Sequence, residues 1–412
     1  MFGFGLDLSL DPQFTALIVL FTLLGAGLGV ISGLIPGLHA NNFAMLLAGI
    51  APAVPAPPIF VGVAMLSAGI VHSFVDAVPA LAIGVPDADM AVMALPGHRL
   101  VIEGRGREAL RLSALGSVLA VVMSIPLAIP LTLGVVSVYD YLMANIQLLL
   151  ATVVVGLIVS EPTTRAKIGG TCSFALATVL GLHMLDATPE APLDAGGMLS
   201  PIFAGLFGAP VLLDAASGSG VPRQGTATLR TSRWLLVLTA AAGAVSGAIV
   251  GFLPGISAAI AAVAVLAVMP GASGDRGYVI ATSGVDTSNT IFALFALYAI
   301  GQPRSGIVVA YEEVGAPIEL GVLVLSTLVA GVIGYLSVVT IGDRYLSIIG
   351  SMDYARLSIA LLLALAGLSF LFAGVLGVLV YIISAAIGLV PVRIGGRRVH
   401  LMGVLIGPIL LG

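Results

Sequence analysis

The sequence predicts an all-α polytopic membrane protein of two inverted structural repeats, each with Pro-Gly-broken, re-entrant helices. Three observations lead there. Of 412 residues, 59% are hydrophobic and only 9% charged, with a mean hydropathy of +1.17, whereas soluble domains carry roughly a quarter charged residues. Apolar runs of spanning or near-spanning length fill both halves. Finally, Gly33-Leu34-Ile35-Pro36-Gly37-Leu38-His39-Ala40-Asn41-Asn42 has an echo in Gly251-Phe252-Leu253-Pro254-Gly255-Ile256-Ser257-Ala258-Ala259, about half the chain later.

The first series of apolar runs lies near 14–33, 35–54, 58–76, 77–96, 112–137, 141–160, 169–186 and 198–213. Residues before the first run include Asp7 and Asp11 but no Lys or Arg, unlike a cleavable signal peptide. The second series lies near 234–252, 254–270, 277–300, 319–340, 357–372, 374–391 and 401–412. The expected organisation is therefore a first membrane repeat over 1–214, a cytoplasmic connection over 215–233 and a second repeat over 234–412. Runs 77–96 and 401–412 are too short or too broken to read as simple crossings.

Basic residues orient the chain. Arg99, Arg105, Arg107 and Arg111, then Arg165 and Lys167, then Arg223, Arg230 and Arg233, then Arg393, Arg397 and Arg398 mark the loops placed in the cytoplasm. The N-terminus and the loop with Glu190 and Asp194 go outside the cell membrane. The basic stretch His98–Arg111 corresponds in the second half to a region carrying Glu312, Glu313 and Glu319. Opposite charge at equivalent places is what an inverted repeat produces; a tandem repeat of one sense is the alternative.

A Pro-Gly pair interrupts a helix because proline lacks an N–H and glycine accepts positive φ. In hydrocarbon such a break survives where it lines a protein-walled cavity. Matched breaks in two halves mark a transporter's substrate site, although a single Pro-kinked packing helix would look the same. The predicted substrate residues are Pro36, Gly37, His39, Asn41 and Asn42 with Pro254, Gly255 and Ser257. Helix N-termini starting there, amide donors and a titratable His39 suit an anion; the bland alternative for His39 is a hydrogen-bonded interhelical histidine.

A second matched pair follows. Ser73 and Asp76 align with Ser283 and Asp286, and Gly84-Val85-Pro86 with Gly301-Gln302-Pro303. A carboxylate within a spanning segment is costly unless paired or hydrated. Asp286, Thr287, Ser288 and Asn289, with Asp76 and Ser73, offer oxygens for a coupling Na⁺, or a carboxyl for a proton; the alternative is a helix-end carboxylate capping a backbone N–H. The long apolar runs hold no Lys or Arg, so an anion is expected to rest on helix N-termini, amides and cations rather than on a guanidinium group.

Catalysis and cofactors are not expected. There is no Walker A sequence, no His-Glu-x-x-His pattern and one cysteine, Cys172, so ATP hydrolysis, a zinc centre and a disulfide framework are set aside. Apart from Na⁺ no cofactor is expected, and no nucleic-acid partner.

Four stretches in order carry a likeness: Gly33–Asn42; Leu95-Pro96-Gly97-His98-Arg99-Leu100-Val101-Ile102-Glu103-Gly104 with Arg107-Glu108-Ala109-Leu110; Leu199-Ser200-Pro201-Ile202-Phe203-Ala204-Gly205-Leu206-Phe207-Gly208; and Leu405-Ile406-Gly407-Pro408-Ile409-Leu410. With them the chain resembles the large membrane permease of the tripartite tricarboxylate transporters, the TctA family, in its shorter archaeal-type branch. The resemblance implies a secondary transporter with inverted repeats that moves a di- or tricarboxylate on an ion gradient. It implies a small membrane subunit and an extracytoplasmic binding protein as partners, with action alone as the archaeal-type alternative; a homo-oligomer stays open. The expected function is thus a Na⁺- or H⁺-coupled organic-anion permease with alternating access around a midplane site. Two other readings are a flippase for an anionic lipid carrier such as polyprenyl phosphate and, more remotely, an intramembrane enzyme.

Overall fold

The computed structural model describes residues 11–36, 38–85, 90–193, 197–216, 221–268 and 274–412. Gly37 and Pro86, both singled out above, lie outside them. In the first half α1 (Pro12–Gly33) and α2 (Ala40–Ile50) flank the first break, and α3 (Pro58–Val75) runs through Asp76 into α4 (Ala77–Ile83). Then come α5 (Ala91–Ile102), α6 (Gly106–Ala144), α7 (Ile146–Val159), α8 (Thr164–Met184), α9 (Leu199–Phe203), a π turn and α10 (Ala209–Ala215). In the second half come α11 (Arg233–Phe252), α12 (Ala258–Val268), α13 (Asp275–Ile300), α14 (Gly306–Glu313), α15 (Leu320–Ile349), α16 (Tyr354–Ile394), a 3₁₀ turn and α17 (Gly403–Leu411). Among the described residues six helices are long and apolar enough to cross a membrane, so the chain is an all-α polytopic membrane protein.

Local chemistry sets these boundaries. Asp11 caps α1 by accepting from the Gln13 and Phe14 N–H groups, with Pro12 at the first helical position. The helix stops at Leu34, just before Pro36, which lacks an N–H and disfavours helical backbone at Ile35. The two helices with Gly-x-Pro ends close on left-handed glycines, Gly84 at φ 78° and Gly301 at φ 63°. Within α16, Gly374 (φ 58°, ψ −153°) turns the chain back on itself, and the Tyr381 hydroxyl then reaches the Leu362 carbonyl at 3.3 Å. This turn divides α16 where the apolar runs 357–372 and 374–391 predicted. The first break differs from its predicted run: residues 35–54 form an 11-residue helix ending in a 3₁₀ turn, too short to span.

Helix packing rests on small residues. Gly25, Gly29 and Gly33 of α1 press on α3, where a Cβ at Gly25 would sit 2.0 Å from the Ala64 carbonyl oxygen. Gly243, Gly247 and Gly251 of α11 press on α13 in the same way, and they precede Pro254 by the same steps that separate the first three from Pro36. At the centre α6 and α15 cross antiparallel: Gly342 faces Leu110 and Gly331 faces Val121. Arg111 joins them with two bonds to Asp343, at 2.5 and 2.7 Å.

The loop arginines, predicted to act through topology, also pair with carboxylates across the halves. Glu108, 1% exposed, accepts from Arg276 Nε at 2.9 Å, from the Arg230 N–H at 3.0 Å and from Arg105. Glu161, 3% exposed, accepts from Arg397 Nε at 2.9 Å and the Arg397 N–H at 3.0 Å, and meets His400 Nε2 at 2.8 Å.

Candidate functional site

Both breaks open on one cavity of about 320 Å³. From the first half come His39 and Asn41; from the second come Leu253 to Ser257, Asn289 of α13 and Pro303 to Ser305 ahead of α14. Phe203, Leu199, Val250 and Leu405 supply its apolar wall.

Helix starts converge on this space. His39 caps α2, its Nδ1 accepting from the Asn41 N–H at 3.0 Å, so in the neutral ring the proton sits on Nε2. Its ring stacks on Phe203 with centroids 5.6 Å apart. Ser257 accepts from the Ile260 N–H at 3.4 Å at the start of α12, and Ser305 from the Val308 N–H at 3.4 Å at the start of α14. Asn41 spans the halves, its Oδ1 accepting from the Gly306 N–H at 2.8 Å. Each of α2, α12 and α14 thus brings the positive end of its dipole to the cavity.

Arg304 also lines this space and donates to the Tyr139 hydroxyl on α6. The expectation of a site without a guanidinium group rested on the long apolar runs, and Arg304 lies outside them. Residues 301–305 lie between the apolar runs 277–300 and 319–340, and the turn that begins at the left-handed Gly301 brings Pro303, Arg304 and Ser305 beside the second break. Among the described residues no lining residue is acidic. Among the described lining residues the polar groups are the Arg304 guanidinium, the His39 imidazole, amides and hydroxyls, beside three helix N-termini, a chemistry that suits an anion.

The other predicted residues fall elsewhere. Asn42 is fully buried away from the cavity, and Pro36 stands at its helix break outside the lining. Asp286 is buried midway along α13, not at a helix end. Its neighbours point to different sides of that helix: Asn289 enters the cavity, Thr287 receives a 3.3 Å bond from Ser73, and Ser288 bonds back to the Gly284 carbonyl at 2.7 Å while facing α11. Asp76 is buried where α3 meets α4, and its side chain caps neither helix. The Ser73–Thr287 bond brings the two matched acidic segments together at their centres. His72 is held by a 2.9 Å contact between its Nδ1 and Ser32 and stacks on Phe43. Ser305 and Phe203 escaped the sequence reading because only the folded chain brings them to the breaks.

The family model for the tripartite tricarboxylate transporter TctA family matches residues 19–403. An uncharacterised protein of Methanocaldococcus jannaschii is 27% identical over 403 residues, covering 95% of this chain and 98% of that protein. No solved structure matches. With a match over nearly its whole length, the chain belongs to the tripartite tricarboxylate transporter TctA family.

Proposed function

We propose that the protein is a secondary active permease for an organic anion of the di- or tricarboxylate class, with the 320 Å³ cavity as its substrate site. The observation that carries this reading is the union of both breaks, three helix N-termini and Arg304 around one space whose lining, among the described residues, includes no acid. A carboxylate there would meet the Arg304 guanidinium and the backbone donors of α12 and α14. Inverted repeats are supported by the antiparallel crossing of the equivalent helices α6 and α15 and by the matched glycine steps of α1 and α11. The two breaks would then enter the membrane from opposite sides, an arrangement suited to alternating access.

Asp286, and with it Asp76, is proposed to take the coupling Na⁺ or proton, since each carboxyl is buried in a largely apolar helix. Asn289, one turn from Asp286, would link that ion to the substrate. The arginine-rich end is assigned to the cytoplasm and the N-terminus to the outside. The family's usual partners, a small membrane subunit and an extracytoplasmic binding protein, are proposed to deliver the anion.

A thermal-stability screen of the purified protein tests the reading. Citrate or a related carboxylate is expected to raise the melting temperature, the bound ligand adding RT ln(1 + [L]/Kd) of stability, about 2.7 kcal/mol at a hundredfold excess over Kd. The rise should vanish in Arg304→Gln. Stabilisation by polyprenyl phosphate alone would favour the lipid-carrier reading, and no response to any carboxylate would contradict the proposal.

A further inference from the structure

A second cavity, of about 460 Å³, lies at the end of the molecule that carries the basic loops. Arg107 at the start of α6 and Arg223 and Gln224 of the inter-repeat connection form one wall; Asp343, Ser347 and Ser351 of the α15 end form the other. None of these residues belongs to the site described above.

The walls are fixed by bonds that leave positive charge over. Gln224 clamps the connection onto the α5–α6 turn: its Oε1 accepts from the Gly106 N–H at 2.7 Å, and its Nε2 donates to the Val101 carbonyl at 3.0 Å. Arg223 is thereby held at the rim, and among the described residues it makes no ion pair. Among the described residues Asp343 is the one acid in the lining, and both of its oxygens are taken by Arg111. Arg107 Nε stands 3.9 Å from Asp343, beyond hydrogen-bond length, and is buried with no hydrogen-bond partner. Among the described residues, Arg107, Arg111 and Arg223 therefore set three positive charges against the one carboxylate of Asp343, which leaves net positive charge on a polar space flanked by the serines of α15.

We propose that this cavity binds a phosphate group. Planar guanidinium forks suit phosphate oxygens, and the start of α6 adds its dipole. Either an anionic lipid headgroup of the adjoining leaflet or a soluble phosphate presents that chemistry. Bound there, it would bridge α6, the connection and α15, joining the first half to the second. The inference stands whatever anion the central cavity carries.

The test uses the full-length protein, delipidated in detergent. Retention of phosphatidylglycerol against phosphatidylcholine is read by native mass spectrometry, and the melting temperature is read with and without inorganic phosphate. Wild type is expected to keep about one phosphatidylglycerol, which identifies a lipid, or to be stabilised by inorganic phosphate without lipid preference, which identifies a soluble ligand. Arg107→Gln/Arg223→Gln should weaken the response roughly tenfold or more. Ser347→Trp, which fills the cavity and leaves both arginines, should abolish it and guards against misfolding of the double variant. Absence of both responses in wild type, or responses unchanged in both variants, would overturn the proposal.

Discussion

Asn41, in the first turn of α2, accepts a 2.8 Å hydrogen bond from the backbone N–H of Gly306, at the start of α14. One amide from the first break thus secures a helix of the second half beside the cavity. A Cβ at Gly306 would lie 2.6 Å from the Asn41 Cα, so the contact is close as well as polar.

Asn41→Ala should lower stability by about 1–3 kcal/mol, because the Gly306 N–H loses its acceptor. Asn41→Asp keeps an acceptor but sets a negative charge against an incoming anion. Denaturant unfolding is expected to show near-wild-type stability for Asn41→Asp, with anion binding weakened at least as much as in Asn41→Ala.

Arg304→Gln should weaken carboxylate binding roughly tenfold or more, the range of a charge-assisted contact. Arg304→Lys should restore part of it, since the charge stays and the planar fork is lost. Titration calorimetry on both variants measures the difference.

The breaks were legible in the sequence because a Pro-Gly pair inside an apolar run interrupts a helix, and its second occurrence half the chain later weighed against a single kinked packing helix. The membrane class followed from composition, and the Gly-x-Pro helix ends from the same chemistry that puts Gly84 and Gly301 at positive φ. Arg304 was hidden because hydropathy reads a loop as surface, while the direction of a loop depends on the turn before it. The run Asp286 to Asn289 looked like one cluster in sequence, yet each step of a helix turns about 100°. Buried Glu108 and Glu161 gave no signal, since their partners come from distant segments of the chain.

Gly25 and Gly27 look alike in sequence and should behave differently. A Cβ at Gly25 would strike the Ala64 backbone, whereas one at Gly27 would meet nothing within 4 Å. Gly25→Ala is expected to cost a few kcal/mol by forcing α1 off α3, while Gly27→Ala should be neutral or gain up to about 1 kcal/mol of helix propensity. Melting temperatures in one detergent compare them directly.

Burial disfavours ionised Glu161, but bonds from Arg397, His400 and the Arg397 N–H outweigh it and hold the carboxyl below its usual value. A depressed folded value means stability that is present above the ordinary carboxylate range and lost as pH falls through the folded value. Wild type should therefore lose stability in acid, and part of that loss should be absent in Glu161→Gln, which starts from a lower stability at neutral pH. Melting curves from pH 7 downward measure both slopes.

The central claim is tested most directly by uptake of a radiolabelled carboxylate into proteoliposomes, with and without an imposed Na⁺ or pH gradient. Gradient-driven accumulation in wild type, loss of binding and uptake in Arg304→Gln, and gradient-independent exchange in Asp286→Asn are the expected results. Full accumulation in Arg304→Gln, or no uptake of any carboxylate by wild type, alone or with the small membrane subunit and binding protein usual in the family, would contradict the account.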